Sequence, residues 1–285
     1  MLYLVLSIFC SVTVGAIFKI ARRYNPNITQ VVGFNYAVAL GLCYLTFSPD
    51  VSTVVTNAPW GIYLPLAVLL PGIFIIMALS VKYTGLVKTD AAQRLSLLIS
   101  LLAAWLIFGE TFNNNKIRGI IIAIPALLLI LSKPADKASR GWIYPLLVLV
   151  GYGVIDILFK QIALYTTLPY TTSLFVVFGV SLSIMVLAML YEIVFKRVIL
   201  SFKNIIFGTL VGIFNFGNIL FYLKAHKAFF DNPSTVFAAM NIGVIILGSL
   251  VGIVVFKEKL SARNYAGIFL ALVAIIFITL SQIYS

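Results

Sequence analysis

Apolar stretches long enough to cross a bilayer follow one another along this chain and leave room for little else. Ten such runs, at 2–21, 30–48, 61–81, 89–108, 117–132, 142–164, 171–195, 204–226, 233–256 and 263–283, are separated by short polar joins. A spanning helix needs about 20 largely apolar residues, so these runs predict ten transmembrane helices. With 62% hydrophobic and only 10% charged residues, the chain has too little polar surface to cover a water-soluble globule. The longest joins, around 49–60 and 133–141, are too short to bury a core of their own. The expected fold class is all-α and integral to the membrane. Leu2–Ala21 has neither a basic leader nor a small-residue cleavage site, so it is expected to stay as the first helix.

The chain also contains its own half-copy. Phe108-Gly-Glu110, followed by Gly119, returns as Phe256-Lys-Glu258, followed by Gly267, at the same internal spacing. Phe18-Lys19 closes the first run and Phe159-Lys160 closes the sixth. Five runs fall in each half, so the second copy must enter the bilayer upside down, and inverted duplication is a transporter architecture. The predicted organisation is a five-helix repeat over 1–132, a basic linker over 133–141 and a second five-helix repeat over 142–285.

A formal charge of +12 raises the question of nucleic acid, but the cations form no stripe on a soluble face. They sort by membrane side instead. All but Lys116, Arg118, Lys160, Lys224 and Lys227 fall on the side reached after odd-numbered runs. The positive-inside rule then makes that side cytoplasmic and places both termini outside a plasma (inner) membrane.

Proline and glycine punctuate the spans. Pro71-Gly72, Pro125 and Pro145 remove backbone hydrogen bonds where lipid offers none in exchange, so their helices should bend or line a cavity. Gly208 with Gly212 and Gly248 with Gly252 have the spacing that lets helix backbones approach; packing within one chain is the favoured use and a homodimer interface the other. Ser234 and Asp90 read as helix N-caps. Cys10 and Cys43 sit inside apolar runs as small hydrophobes.

Polar groups in hydrocarbon are costly and therefore face protein or a wet cavity, which makes them the functional shortlist. Asp156 and Lys160 share a helix face, where an internal ion pair competes with a substrate role. Lys19 is the repeat counterpart of Lys160, whereas Gly15 stands opposite Asp156, so the acid is unique to one half. The amides Asn35, Gln93, Asn215, Asn218 and Asn241 form a second set, with Gln93 and Asn241 at matching positions of the two halves; interhelical hydrogen bonding is the competing use. Tyr152 and Tyr222 supply amphipathic walls. Arg94, with the start of the fourth helix, is placed to hold a carboxylate or phosphate, against a plain headgroup anchor. Glu192 and Lys196 read as a solvated surface pair.

His226 is the only histidine and falls at a helix end, so the sequence offers no metal cluster and no histidine-activated nucleophile. Glycine-rich phosphate loops are missing, and Asp156 is the lone carboxylate away from the ends of the spans. An enzyme reading has little support, and no cofactor is expected.

These motifs resemble the drug/metabolite transporter superfamily, of the ten-helix EamA type. The resemblance rests on Ala78-Leu-Ser-Val-Lys-Tyr-Thr84, the hydroxyl-rich fourth run, Phe108-Gly-Glu110 and Gly119, and on the stretch from Tyr222 through Phe256-Lys-Glu258 to Leu280. It implies two inverted five-helix bundles and alternating access around a central cavity lined mainly by the first, third, fourth, sixth, eighth and ninth helices. It also implies cytoplasmic termini, against the charge count, which we follow. Asn35 stands where many relatives have arginine, and the fourth run lacks a common proline.

The combined reading is a secondary active or facilitative carrier of a small polar metabolite, anionic or zwitterionic, bound by Lys19, Asn35, Gln93, Arg94, Tyr152, Lys160, Asn215, Asn218, Tyr222 and Asn241. The alternative within the class is proton-coupled export of lipophilic cations or drugs, with Asp156 as the coupling group, available only where Lys160 points away from it. From another class come a nontransporting scaffold and a channel.

Overall fold

The computed structural model describes residues 1–50, 58–84, 86–131, 141, 143–165, 167–257 and 262–283. The helices are α1 (Leu2–Ala21), α2 (Ile28–Phe47), α3 (Trp60–Thr84), α4 (Leu86–Leu95), α5 (Leu97–Leu106), α6 (Asn114–Leu131), α7 (Ile143–Leu164), α8 (Tyr170–Lys196), α9 (Phe202–Ala228), α10 (Pro233–Val254) and α11 (Ala262–Ile283), and a 3-10 turn, Arg22–Tyr24, follows α1. Helices α4 and α5 run end to end through Ser96, whose hydroxyl donates to the Gln93 carbonyl at 2.6 Å. Such back-bonding competes with the helical ladder and interrupts it locally. With α4–α5 counted as one rod, the described residues form ten rods, one for each apolar run.

Among the described residues, seven helices, α1, α2, α3, α7, α8, α9 and α10, are long and apolar enough to cross a membrane. The other three rods are shorter or more polar in part: the apolar stretch of α4–α5 is Ala92–Leu106, that of α11 is Tyr265–Ile278, and α6 opens on Asn-Asn-Lys-Ile-Arg. The chain is a multi-pass, all-helical membrane protein among its described residues.

The halves interleave. The most extensive packing pairs join a helix before residue 132 to one after residue 142: α6 with α11, α2 with α9, α1 with α9, α2 with α8, and α3 with α7. Lipid tails are as apolar as leucine, so close steric fit rather than apolar burial drives such pairing. Gly208 and Gly212 of α9 lie against the α2 backbone, where an added Cβ would come within 2.8 Å of the Val31 and Asn35 carbonyl oxygens respectively. This is the expected packing within one chain. Gly248 differs: a Cβ there meets nothing within 4 Å.

The start of α2 is pinned to the α8–α9 join. Asn27 caps α2 by accepting from the Gln30 amide, and its side-chain nitrogen donates to Glu192 at 2.9 Å. Gln30, 1% exposed, donates to the Ile199 carbonyl at 3.0 Å and accepts from Asn204 Nδ2 at 2.8 Å and the Ser201 amide at 3.2 Å. Removing a buried group that satisfies so many partners costs about 1–3 kcal/mol. Gln30→Ala is therefore expected to lower thermal stability by that amount, measured as the loss of monodisperse protein on heating; Thr13→Ala, at an exposed hydroxyl bonded only within α1, is the neutral comparison.

Three local expectations change. Pro145 is the third residue of α7, in the first turn, where helix amides have no internal partner, so it removes nothing. Pro65 and Pro71 are inside α3, and Pro125 is inside α6. Asp90 lies within α4, which begins at Leu86. Ser234 follows Pro233, the first residue of α10, with Asn232 at the cap position, and its polar atoms turn to Glu110. Cys10 and Cys43 are free and buried. Residues 133–140 of the predicted linker and Glu258 lie outside the described residues.

Candidate functional site

A cavity of about 540 Å³ occupies the centre of the bundle. Its walls come mainly from α1, α3, α4, α7, α9 and α10, which are the first, third, fourth, sixth, eighth and ninth spans, with Pro26 and Ile28 added at the start of α2. From α1 only the later half, Ser11 to Lys19, contributes, and from α10 only Met240 to Gly252. The cavity therefore runs from mid-membrane to the face that carries Lys19, Pro26 and Phe256.

Nine of the residues singled out from the sequence line it. Lys19, Arg94 and Gln93 lie among the walls, with the Lys19 amine 4.0 Å from the centre of the Phe256 ring. Asn215, Asn218 and Asn241 come from α9 and α10. Tyr152, Tyr222 and Asp156 complete the set. Each of these three asparagines is held by a hydrogen bond. Asn215 Nδ2 donates to Asn35 Oδ1 at 3.0 Å, Asn218 Oδ1 accepts from Ser7 Oγ at 2.8 Å, and Asn241 Nδ2 donates to the Phe237 carbonyl at 3.1 Å. The Tyr152 hydroxyl donates to Met77 Sδ at 2.8 Å.

Asp156 and Lys160 are not paired. The Asp156 carboxylate accepts from Ser100 Oγ and from the Tyr222 hydroxyl, each at 2.7 Å. Lys160, 1% exposed, points the other way and donates to the Phe230 carbonyl. One helical turn thus separates a carboxylate in the cavity wall from an amine buried toward the opposite face.

Two of the expected binding residues fall outside the cavity. Asn35 is fully buried between α2 and α9 and supports Asn215 from the rear rather than facing a solute. Lys160 belongs to a second, smaller hollow with Phe108, Glu110 and Asp231. There the Glu110 carboxylate, 4% exposed, pairs with Lys116, 2% exposed. The same carboxylate accepts from the Ser234 amide at 2.8 Å and the Ser234 hydroxyl at 2.7 Å, while Lys116 donates to Asn232 Oδ1 at 2.9 Å. This buried cluster ties the α5–α6 join to the α9–α10 join. Glu192 and Lys196 do form the expected surface pair, at 3.6 Å.

Sequence reasoning missed three participants. Ser100 and Ser7 are fully buried partners of site residues, but single serines in apolar runs are too common to stand out. His226 reads in the sequence as a helix-end residue, yet it is fully buried, with neither ring nitrogen hydrogen-bonded, edge-on to Tyr222 and Phe237. Its spacing of one turn from Tyr222 was the available signal. No group of metal-ligating side chains occurs among the described residues.

Comparison with known proteins gives this fold and cavity their class, a membrane transporter. Residues 1–132 match the EamA-like transporter family. A protein of Haemophilus influenzae described as uncharacterized is 42% identical over 284 residues, covering 95% of both chains. A solved crystal structure shares the fold with a TM-score of 0.73 at 14% identity, covering 98% of this chain and 96% of the other. The chain belongs to the EamA-like transporter family.

Proposed function

We propose that the protein is a secondary active or facilitative carrier that moves a small polar metabolite, anionic or zwitterionic, by alternating access. The observation that carries this reading is the asymmetry of the bundle: a cavity with amides and charges set in an apolar wall reaches one face, and a buried hydrogen-bonded ion pair closes the other. Amides, two cations and one carboxylate in an apolar shell suit an orienting site for a compact polar solute. An open pore needs no sealed end.

The reading includes two inverted five-helix repeats, 1–132 and 142–285. The packing pattern supports it, because exchanging each span for its counterpart in the other half maps the α1–α9 pair onto α3–α7, and α2–α9 onto α3–α8, while α2–α8 and α6–α11 map onto themselves. Lys19 beside Phe256 on one face and Lys160 beside Phe108 on the other follow the same exchange. The charge bias places the Lys19 face in the cytoplasm of a plasma (inner) membrane, so the cavity opens inward in this state.

Export of lipophilic cations is the second reading, favoured by one observation: Lys160 leaves Asp156 unpaired. Purified protein in liposomes separates the readings. A carrier gives saturable uptake and counterflow of labelled solute, a channel gives neither, and a scaffold moves nothing. Arg94→Gln is expected to lower flux tenfold or more with stability changed by about 1 kcal/mol or less, and Asn215→Ala to lower flux as much at a stability cost of about 1–3 kcal/mol, because it leaves the buried Asn35 oxygen without its donor. Equal losses of flux and folded protein would sink the assignment.

A further inference from the structure

Resting on the carrier reading, we infer that Asp156 and Lys160 form a partner-exchange switch. Each is bonded to α9 or its C-terminal join while the Glu110 face is closed, and the two bond to each other when α9 parts from α7 there. The switch sits where two hollows meet. The cavity takes Tyr152, Ile155, Asp156 and Phe159 from α7, and the smaller hollow takes Lys160 and Leu164. The seal between them therefore lies at the Phe159–Lys160 step.

Both groups are held by one partner element. Asp156 Oδ1 accepts from the Tyr222 hydroxyl of α9 at 2.7 Å, and Lys160 donates to the carbonyl of Phe230, just beyond the end of α9 at Ala228. The Phe159 and Tyr222 rings meet edge to face beside them, with centroids 5.9 Å apart. Withdrawal of α9 removes the Tyr222 donor and the Phe230 acceptor in one movement. It leaves an anion and a cation one turn apart on the same helix, within reach of each other. Ser100, on α5, keeps its 2.7 Å bond to Oδ2 and continues to aim the carboxylate.

Local geometry favours the exchanged pair. Helix side chains lean toward the N-terminus and lie over the preceding turn, and an acid four residues before a lysine is the better of the two orders. Lys160 departs from this, because its amine shares a hollow with Leu164, one turn later. The Phe230 carbonyl holds it there. Lys160 is 1% exposed, and a buried amine released from its acceptor requires another. Two carboxylates also line its hollow, but Asp231 belongs to the moving join and Glu110 stays paired with Lys116. Asp156 is the acceptor that remains on α7 itself. The first half has no such device, since Gly15 stands one turn before Lys19. The exchange therefore serves only one of the two faces.

A cysteine in the seal reads the switch. His226 is fully buried, packs edge-on against Tyr222 one turn earlier in α9, has no hydrogen bond to lose and lines neither hollow. In purified protein, His226→Cys should react with a soluble maleimide at a rate set by how often α9 leaves α7, the labelled site being read by peptide mass. Asp156→Asn is introduced with Lys160 present and again in Lys160→Met; Lys160→Gln replaces the latter if it does not fold. Only the open state contains the Asp156–Lys160 pair, so Asp156→Asn should slow labelling at least tenfold relative to its effect in the protein lacking Lys160. Tyr222→Phe, which removes a bond of the closed state alone, should speed labelling. Equal effects of Asp156→Asn in both backgrounds, slower labelling in Tyr222→Phe, or no labelling of a protein that carries flux overturns the switch. Liposomes separate this outcome from the carrier reading: coupled labelling without flux or counterflow sinks the carrier and keeps the switch, and saturable flux with uncoupled labelling does the reverse.

Discussion

Lys116→Met is expected to destabilise the folded protein by about 3–5 kcal/mol, the range for stripping one partner from a buried ion pair. The Glu110 carboxylate would keep the two hydrogen bonds from Ser234 but lose its only ion-pair partner among the described residues. Asn232, which accepts from the Lys116 amine, would lose its donor as well. The measurement is the midpoint of thermal loss of monodisperse protein, compared across Lys116→Met, Glu110→Gln and the double variant. Removing both charges leaves no unpaired ion, so the double variant should be more stable than the sum of the single losses requires. Additive losses, or a Lys116→Met midpoint close to that of the parent, would refute the pairing. The cluster has a functional consequence too. It fastens the α5–α6 join to the α9–α10 join on the face away from the cavity mouth, so weakening it should favour opening there. In liposomes the double variant is expected to show altered exchange rates without loss of solute binding, because none of its members lines the cavity.

Much of this arrangement was legible in the sequence. Ten apolar runs sufficed for ten rods because a bilayer enforces internally satisfied backbone and hence helix. The polar shortlist was informative for a related reason: lipid penalises polar side chains, so the few that remain converge on one interior. Nine of them line the cavity, Lys19 and Asp156 among them. Orientation about the helix axis was harder to read. Asp156 and Lys160 share a face by spacing, yet their tips diverge, one to Tyr222 and Ser100, the other to the Phe230 carbonyl. Spacing fixes where a Cβ points but not which of two polar neighbours a long side chain reaches. Asn35 shows the same limit, since a buried amide looks alike in sequence whether it faces a cavity or braces another amide from behind. The pairing of Glu110 with Lys116 and Ser234 was equally hidden, because it depends on two joins from different halves meeting at one face.

Replacing Gly212 with leucine should remove most of the folded protein, and Gly208→Leu should do the same. At both positions the obstacle is α2 backbone: a Cβ would approach the Asn35 carbonyl oxygen or the Val31 carbonyl oxygen to within 2.8 Å. A flexible side chain can give way, but a helix backbone moves only as a rod. Overpacking of this kind costs about 1–3 kcal/mol even for small additions, and a full leucine must force α2 and α9 apart. Separation would reach the site, since Asn215, one turn beyond Gly212, depends on Asn35 of α2 for its hydrogen bond. Flux is therefore expected to fall even in whatever fraction still folds, and Gly212→Ala should show a milder form of both losses. Gly248 is the matched control, with open space where its Cβ would stand and a place in the cavity wall. Gly248→Ala should fold like the parent protein, with a thermal midpoint within the error of measurement. If Gly248→Ala and Gly212→Ala prove equally harmful, close approach of α9 to α2 is not what makes glycine necessary.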